Sequence, residues 1–186
     1  MDEAVGRERI DTQAADAVQR IVDNLAVVVH APTAEDVARE TLARCDADIV
    51  LMAAAVADYR PTEPDAEKRP KDDRLWAVTL EPTTDVLREL GERRTNGQLL
   101  VGFAADRGER GLERAREKLA NKRADLIVFN DVARDDVGFD APDNEVVLVA
   151  AEGERRIEKA SKERIAAAIL DEVARRLEEA DGRSGR

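Results

Sequence analysis

Three stretches of this chain are apolar without alternation: DIVLMAA (48–54), LLVGFAA (99–105) and DLIVFN (125–130). A strand with one wet face alternates apolar and polar residues. An unbroken run belongs to a strand covered on both faces, as in a parallel sheet flanked by helices. Between the runs lie segments of helical periodicity. PTAED places Thr33 as the N-cap and Asp36 in the first turn of a helix reaching about Cys45. Further helices start at Thr84 or Asp85 and end at Arg94, and span roughly 109–123 and Ser161 to about Ala180. Residues 10–25 carry Ile10, Ala14, Ala17, Val18, Ile21 and Leu25 at helical spacing. AVVVH (26–30), LWAVTL (75–80) and EVVLVAA (145–151) complete the predicted strands, the second of them alternating like a more exposed one.

Strands alternating with helices predict an α/β fold, a Rossmann-like three-layer sandwich with a largely parallel central sheet. A single domain is expected over 1–180, with 1–25 as an N-terminal helix and 181–186 as a frayed polar tail. In such sheets ligands sit beyond the carboxyl ends of the strands. The polar or glycine-bearing segments Ala54–Asp58, Gly102–Asp106 and Asn130–Val132 are therefore the place to look for a site.

Composition narrows the chemistry. A net charge of −11 argues against nucleic acid or an anionic membrane as partner. No apolar run approaches the eighteen or so residues of a membrane span. The charged N-terminus, MDEAVGRERID, lacks a signal-peptide core, which predicts a cytoplasmic protein. One cysteine, Cys45, and one histidine, His30, are too few for a disulfide framework or a zinc site. Neither GxGxxG nor a P-loop is present. Acidic residues in excess, with six lysines against twenty-four arginines, also suit a salt-adapted protein. Where arginine is the default, each lysine raises the question of whether a compact ammonium is required. Lys118 and Lys122 are four residues apart on one helix face, and Lys68 lies in a long proline-bearing loop after Asp58. By periodicity alone the pair solvates its helix and Lys68 decorates a loop. Two cations on a rigid helix and a third on a mobile loop would instead suit a polyphosphate.

AAVADYRP (54–61), EK (67–68), GFAAD (102–106), AREKLANKRADLIVFNDV (115–132), GF (138–139), DN (143–144) and SK with IA (161–166) follow one another in an order that resembles the phosphopantothenate–cysteine ligases. These form the synthetase half of the bifunctional coenzyme A biosynthesis protein. The resemblance covers about residues 27–177 and implies a CTP-dependent enzyme. CTP, with magnesium, would activate the carboxylate of 4′-phosphopantothenate as an acyl-cytidylate with release of pyrophosphate, and the amine of cysteine would then form the amide. Carried over residue by residue, Met52, Ala53, Ala54 and Asp58 would form the nucleotide pocket, with Asp58 at the ribose. Thr84, Asp85, Val86, Leu87 and Phe103 would line the base side. Lys118 and Lys122 would bind the triphosphate, and Lys68 would be the catalytic flap lysine. The resemblance implies no metal ligands residue by residue, and it implies a homodimer.

One departure matters. The family ordinarily opens with a glycine-rich strand–turn–helix that supplies part of the phosphopantothenate site. The residues before Ala26 instead read as a single helix, and the flavin-binding half has no counterpart, so no flavin is expected. This leaves two alternatives open: a non-catalytic nucleotide-binding or partner-subunit member of the family, and an unrelated Rossmann-like binding module.

Overall fold

The computed structural model describes residues 27–63, 67, 75–95, 97–133 and 143–184. The chain divides into two units, 1–32 and 33–186. Of the first, only 27–32 are described, and they carry no regular structure. The strand expected at 26–30 is thus not formed over 27–30. Without ladder hydrogen bonds a β-branched run is only extended chain, and Val27 and Val28 are exposed. The helix expected over 10–25 lies outside the described residues, as do Lys68 and the GF pair at 138–139.

The second unit is built on a five-stranded sheet of β1 (Ile49–Met52), β4 (Leu99–Asp106), β5 (Leu126–Asp131), β6 (Asp143–Ala150) and β7 (Gly153–Ser161), in the order β1-β4-β5-β6-β7. The three unbroken apolar runs are its parallel strands, and β6 and β7 pair antiparallel beyond them. β2 (Tyr59–Pro61) and β3 (Leu80–Pro82) form a separate two-stranded antiparallel ribbon. Of the strand expected at 75–80, only Leu80 joins that ribbon.

Helices α1 (Ala34–Leu42), α2 (Val86–Arg93) and α3 (Gly108–Asn121) pack on one face, and α4 (Lys162–Ser184) on the other. Strand alternation sorts the core between them. Leu100, Ile127 and Phe129 join Ala38, Leu87, Leu90 and Ala115 on the first face. Leu99, Val101, Leu126 and Val128 join Ile165, Ile169 and Val173 on the second. The fold is the three-layer α/β sandwich expected. Thr33 and Asp36 form a reciprocal capping box at the start of α1, and α4 continues through Ser184 into the stretch expected to be a frayed tail.

Two corrections concern the edges. β1 was expected to be covered on both faces, yet Ile49 and Leu51 are 37% and 42% exposed. Among the described strands β1 is at the sheet edge, and α4 packs over β4 and the strands beyond it instead. β7 fills the stretch between the strand expected at 145–151 and the helix expected from Ser161, where no strand was expected. Its residues, GERRIEKAS, are polar because the strand is an exposed edge, so they carry no hydrophobic signal.

Candidate nucleotide pocket at the carboxyl strand ends

Beyond the carboxyl ends of β1 and β4, on the face of α2 and α3, lies a pocket of about 180 Å³. Its walls are Met52, Ala54, Val56, Ala57, Asp58, Thr83, Thr84, Asp85, Val86, Leu87, Phe103, Lys118 and Lys122. Ten of the twelve residues singled out in the sequence meet here. Ala53 points to the opposite face of the sheet, where it lines a second pocket. Lys68 lies outside the described residues. Val56 and Ala57 belong to the Ala54–Asp58 segment marked in the sequence though neither was named individually, and Thr83 was missed. The first two lie inside the AAVADYRP motif that marked the segment, and Thr83 is the neighbour of Thr84 in PTTD.

The pocket is held together by backbone geometry more than by long side chains. Thr83 donates its amide to Asp58 O at 2.9 Å and its hydroxyl to Ala57 O at 2.5 Å. These two bonds tie the turn after β1 to the loop before α2. Asp85 is the N-cap of α2, accepting from the Arg88 amide at 3.1 Å. Gly102 lies under the floor, where a Cβ would come within 2.7 Å of Leu87 Cδ2 and 2.8 Å of Ile127 Cδ1. A larger residue there would push those two side-chain ends aside. The lysine helix is anchored by the NDV motif: Asp131 accepts from the Gly108 amide at 2.9 Å at the start of α3. Its neighbour Val132 donates its amide to Asp106 O at 2.9 Å.

Both lysines are engaged inside the pocket. Lys118 Nζ donates to Phe103 O at 2.6 Å, and Lys122 Nζ pairs with Asp85. Burial pushes the Lys118 ammonium below the usual lysine range, and the neighbouring Lys122 charge pushes it the same way; Asp85 and Asp58 pull against both. Burial raises Asp85, but the Lys122 hydrogen bond and the Arg88 amide outweigh it and hold the carboxyl below its ordinary value. No described residue donates a hydrogen bond to the exposed Asp58 carboxylate, which leaves it open to a donor such as a sugar hydroxyl. The site therefore combines desolvated ammonium groups, one open acceptor and an apolar wall of Met52, Val86, Leu87 and Phe103. That set can hold an aromatic base, a polyol and phosphate together.

Residues 13–177 match the family described as the DNA/pantothenate metabolism flavoprotein C-terminal domain. The chain belongs to this family. Among relatives, the coenzyme A biosynthesis bifunctional protein CoaBC of Bacillus subtilis (strain 168) is 40% identical over 153 residues, covering 81% of this chain and 37% of the relative. A crystal structure of the C-terminal domain of a CoaBC protein superposes with a TM-score of 0.61 at 31% identity, over 78% of this chain and 63% of that one. A Cab2 mutant complexed with phosphopantothenate-cysteine shares the fold, with a TM-score of 0.68 at 19% identity over 94% of this chain and 60% of that one. The chain thus spans little over a third of the Bacillus protein and less than two thirds of the solved domain. Among the described residues no helix is long and apolar enough to cross a membrane.

Proposed function

We propose that this chain is a ligase of coenzyme A biosynthesis, joining 4′-phosphopantothenate to cysteine through an acyl-cytidylate formed from CTP. The observation that supports this most directly is the pocket itself, in which Lys118, Lys122 and Asp58 converge with the Thr84–Leu87 segment and Phe103 at the carboxyl strand ends. The base lies against Val86, Leu87 and Phe103, and Asp58 accepts from the ribose. The two lysines receive the triphosphate and neutralise the charge that develops as pyrophosphate leaves. Lys68 closes over the reacting acyl group from the loop and shields it from water. Magnesium would offset phosphate charge in such an activation.

The chain works as a homodimer in this reading. Tyr59, Trp76 and Leu80, on and beside the β2–β3 ribbon, are large, exposed and close in sequence or register, which supports a protein contact there.

The test is pyrophosphate release by the purified chain with CTP, magnesium and 4′-phosphopantothenate, with and without cysteine. It should be run in molar salt, because the net charge of −11 suits a salt-adapted surface. Cysteine-dependent amide formation is the expected result. Tight CTP binding without pyrophosphate release would identify instead a nucleotide-binding partner subunit.

A further inference from the structure

The β2–β3 ribbon stands on the rim of the nucleotide pocket, and its two legs enter the pocket as different walls. The leg before β2 carries Ala57 and Asp58, and the leg after β3 carries Thr83 and runs on into Thr84–Leu87. The register pairs Pro61 with Leu80, Arg60 with Glu81 and Tyr59 with Pro82, so the next pair toward the pocket is Asp58 with Thr83. Pro82 has no amide hydrogen and cannot donate across the base of the ribbon. The next residue that can donate on that leg is Thr83.

Thr83 supplies two donors to consecutive carbonyls: its amide to Asp58 O at 2.9 Å and its hydroxyl to Ala57 O at 2.5 Å. Any residue except proline could make the first bond; the second needs a hydroxyl. One bond alone leaves a leg free to swing about it, whereas two from a single residue fix the angle as well as the distance. The turn from Ala53 to Ala57 forms no strand or helix. Ala53 donates to Leu51 O at 3.1 Å at its near end, and Thr83 holds its far end.

We propose that Thr83 is a positioning residue for the nucleotide. Through its hydroxyl it sets Asp58, the acceptor for the ribose, at a fixed span from the base wall of Val86, Leu87 and Phe103. The inference rests on the reading of the pocket as a nucleotide site. A nucleoside is stiff, and its sugar hydroxyls lie at a set distance from its base. A carboxylate that wanders therefore loses the sugar while the base stays seated. Ala57 is exposed, so water takes the place of a lost hydroxyl at its carbonyl and the fold is little affected.

The test is calorimetry with CTP and 2′,3′-dideoxy-CTP on the wild type, Thr83→Val and Thr83→Ser. Valine keeps the shape and loses the hydroxyl; serine keeps the hydroxyl. Thr83→Val should weaken CTP about fivefold and the dideoxy nucleotide less than twofold, while Thr83→Ser stays within twofold of the wild type for both. Unchanged CTP affinity in Thr83→Val overturns the proposal. So does equal weakening of both nucleotides, because Thr83 would then act on the pocket as a whole and not through Asp58. A second readout needs no nucleotide. Exchange of the residue 83 amide hydrogen, corrected for its intrinsic rate, should quicken severalfold in Thr83→Val and not in Thr83→Ser; an unaltered rate shows that the hydroxyl does not hold the legs. A wild type that ignores CTP while its exchange responds as expected would remove the nucleotide reading, and the positioning role with it, but leave the tie between the legs.

Discussion

Asp85 does two jobs that one substitution can separate. It caps α2 through the Arg88 amide, and it holds Lys122 by an ion pair whose side chains are 23% (lysine) and 45% (aspartate) exposed. A pair that wet contributes about 0.2–1 kcal/mol, and the cap about 1 kcal/mol. Asn caps a helix as well as Asp does, so Asp85→Asn should cost only the pair, roughly 0.5 kcal/mol, while Asp85→Ala should cost about 1.5 kcal/mol. At about 2–4 °C per kcal/mol for a domain of this size, that is a fall of one or two degrees against three to six. Binding should move the other way. If the pocket takes a triphosphate as proposed, the carboxylate would compete with phosphate for Lys122 and repel it; at an effective dielectric of about 40 and a separation of ~7 Å, one unit charge is worth about 1 kcal/mol. Asp85→Asn should therefore tighten CTP binding five- to tenfold, read by calorimetry beside a thermal melt, with a smaller gain in 1 M salt. If Asp85→Asn weakens CTP and stability together, the carboxylate contacts the nucleotide directly and the competition described here is wrong.

Lys118→Met should weaken CTP about tenfold, since it removes a partly desolvated cation at a phosphate wall. The Lys118 pKa is depressed by burial, so the wild-type affinity should decline as pH rises through a value below the ordinary 10.5. Because the unfolded chain holds that proton longer, stability should increase over the same window; a Lys118→Met chain lacking neither step would contradict both statements. Gly91→Ala would set a Cβ 1.9 Å from Lys122 O, a backbone atom that cannot swing aside. It should destabilise by about 3 kcal/mol or more, visible in urea melts, whereas the same change at an exposed helical glycine would stabilise by up to about 1 kcal/mol. Lys68→Ala should reduce turnover at least a hundredfold with the melting temperature unchanged, because a loop lysine contributes little to the core; equal losses of activity and stability would remove it from the site.

The parallel centre of the fold was legible because it is written in one dimension. DIVLMAA, LLVGFAA and DLIVFN have no alternation, which is the pattern of central parallel strands, and in LLVGFAA and DLIVFN the covering is complete on both faces over Leu99–Val101 and Leu126–Phe129. The caps were legible for the same reason: Thr33 with Asp36, and Asp85 before Val86, act within a single turn. Most of the pocket was legible too, through short motifs that end at strand ends. What the sequence left open depends on neighbours. β7 has no hydrophobic pattern because an edge strand faces water, and residues 27–30 are as β-branched as any strand yet join no ladder among the described residues. Ile49 and Leu51 read as core, but β1 lies at the sheet edge and α4 covers its neighbours.

Local patterns thus determined the three parallel strands, the described helices and the polar residues that cap them, since those preferences act over a few residues. The tertiary structure alone decided which face each strand residue serves. It put Ala54 in the wall of both pockets and Ala53 in only one, set Lys122 against Asp85 thirty-seven residues away, and left Asn130 Oδ1 buried without a donor. Such contacts arise from strand order and register, and those are settled by the packing of the whole sheet.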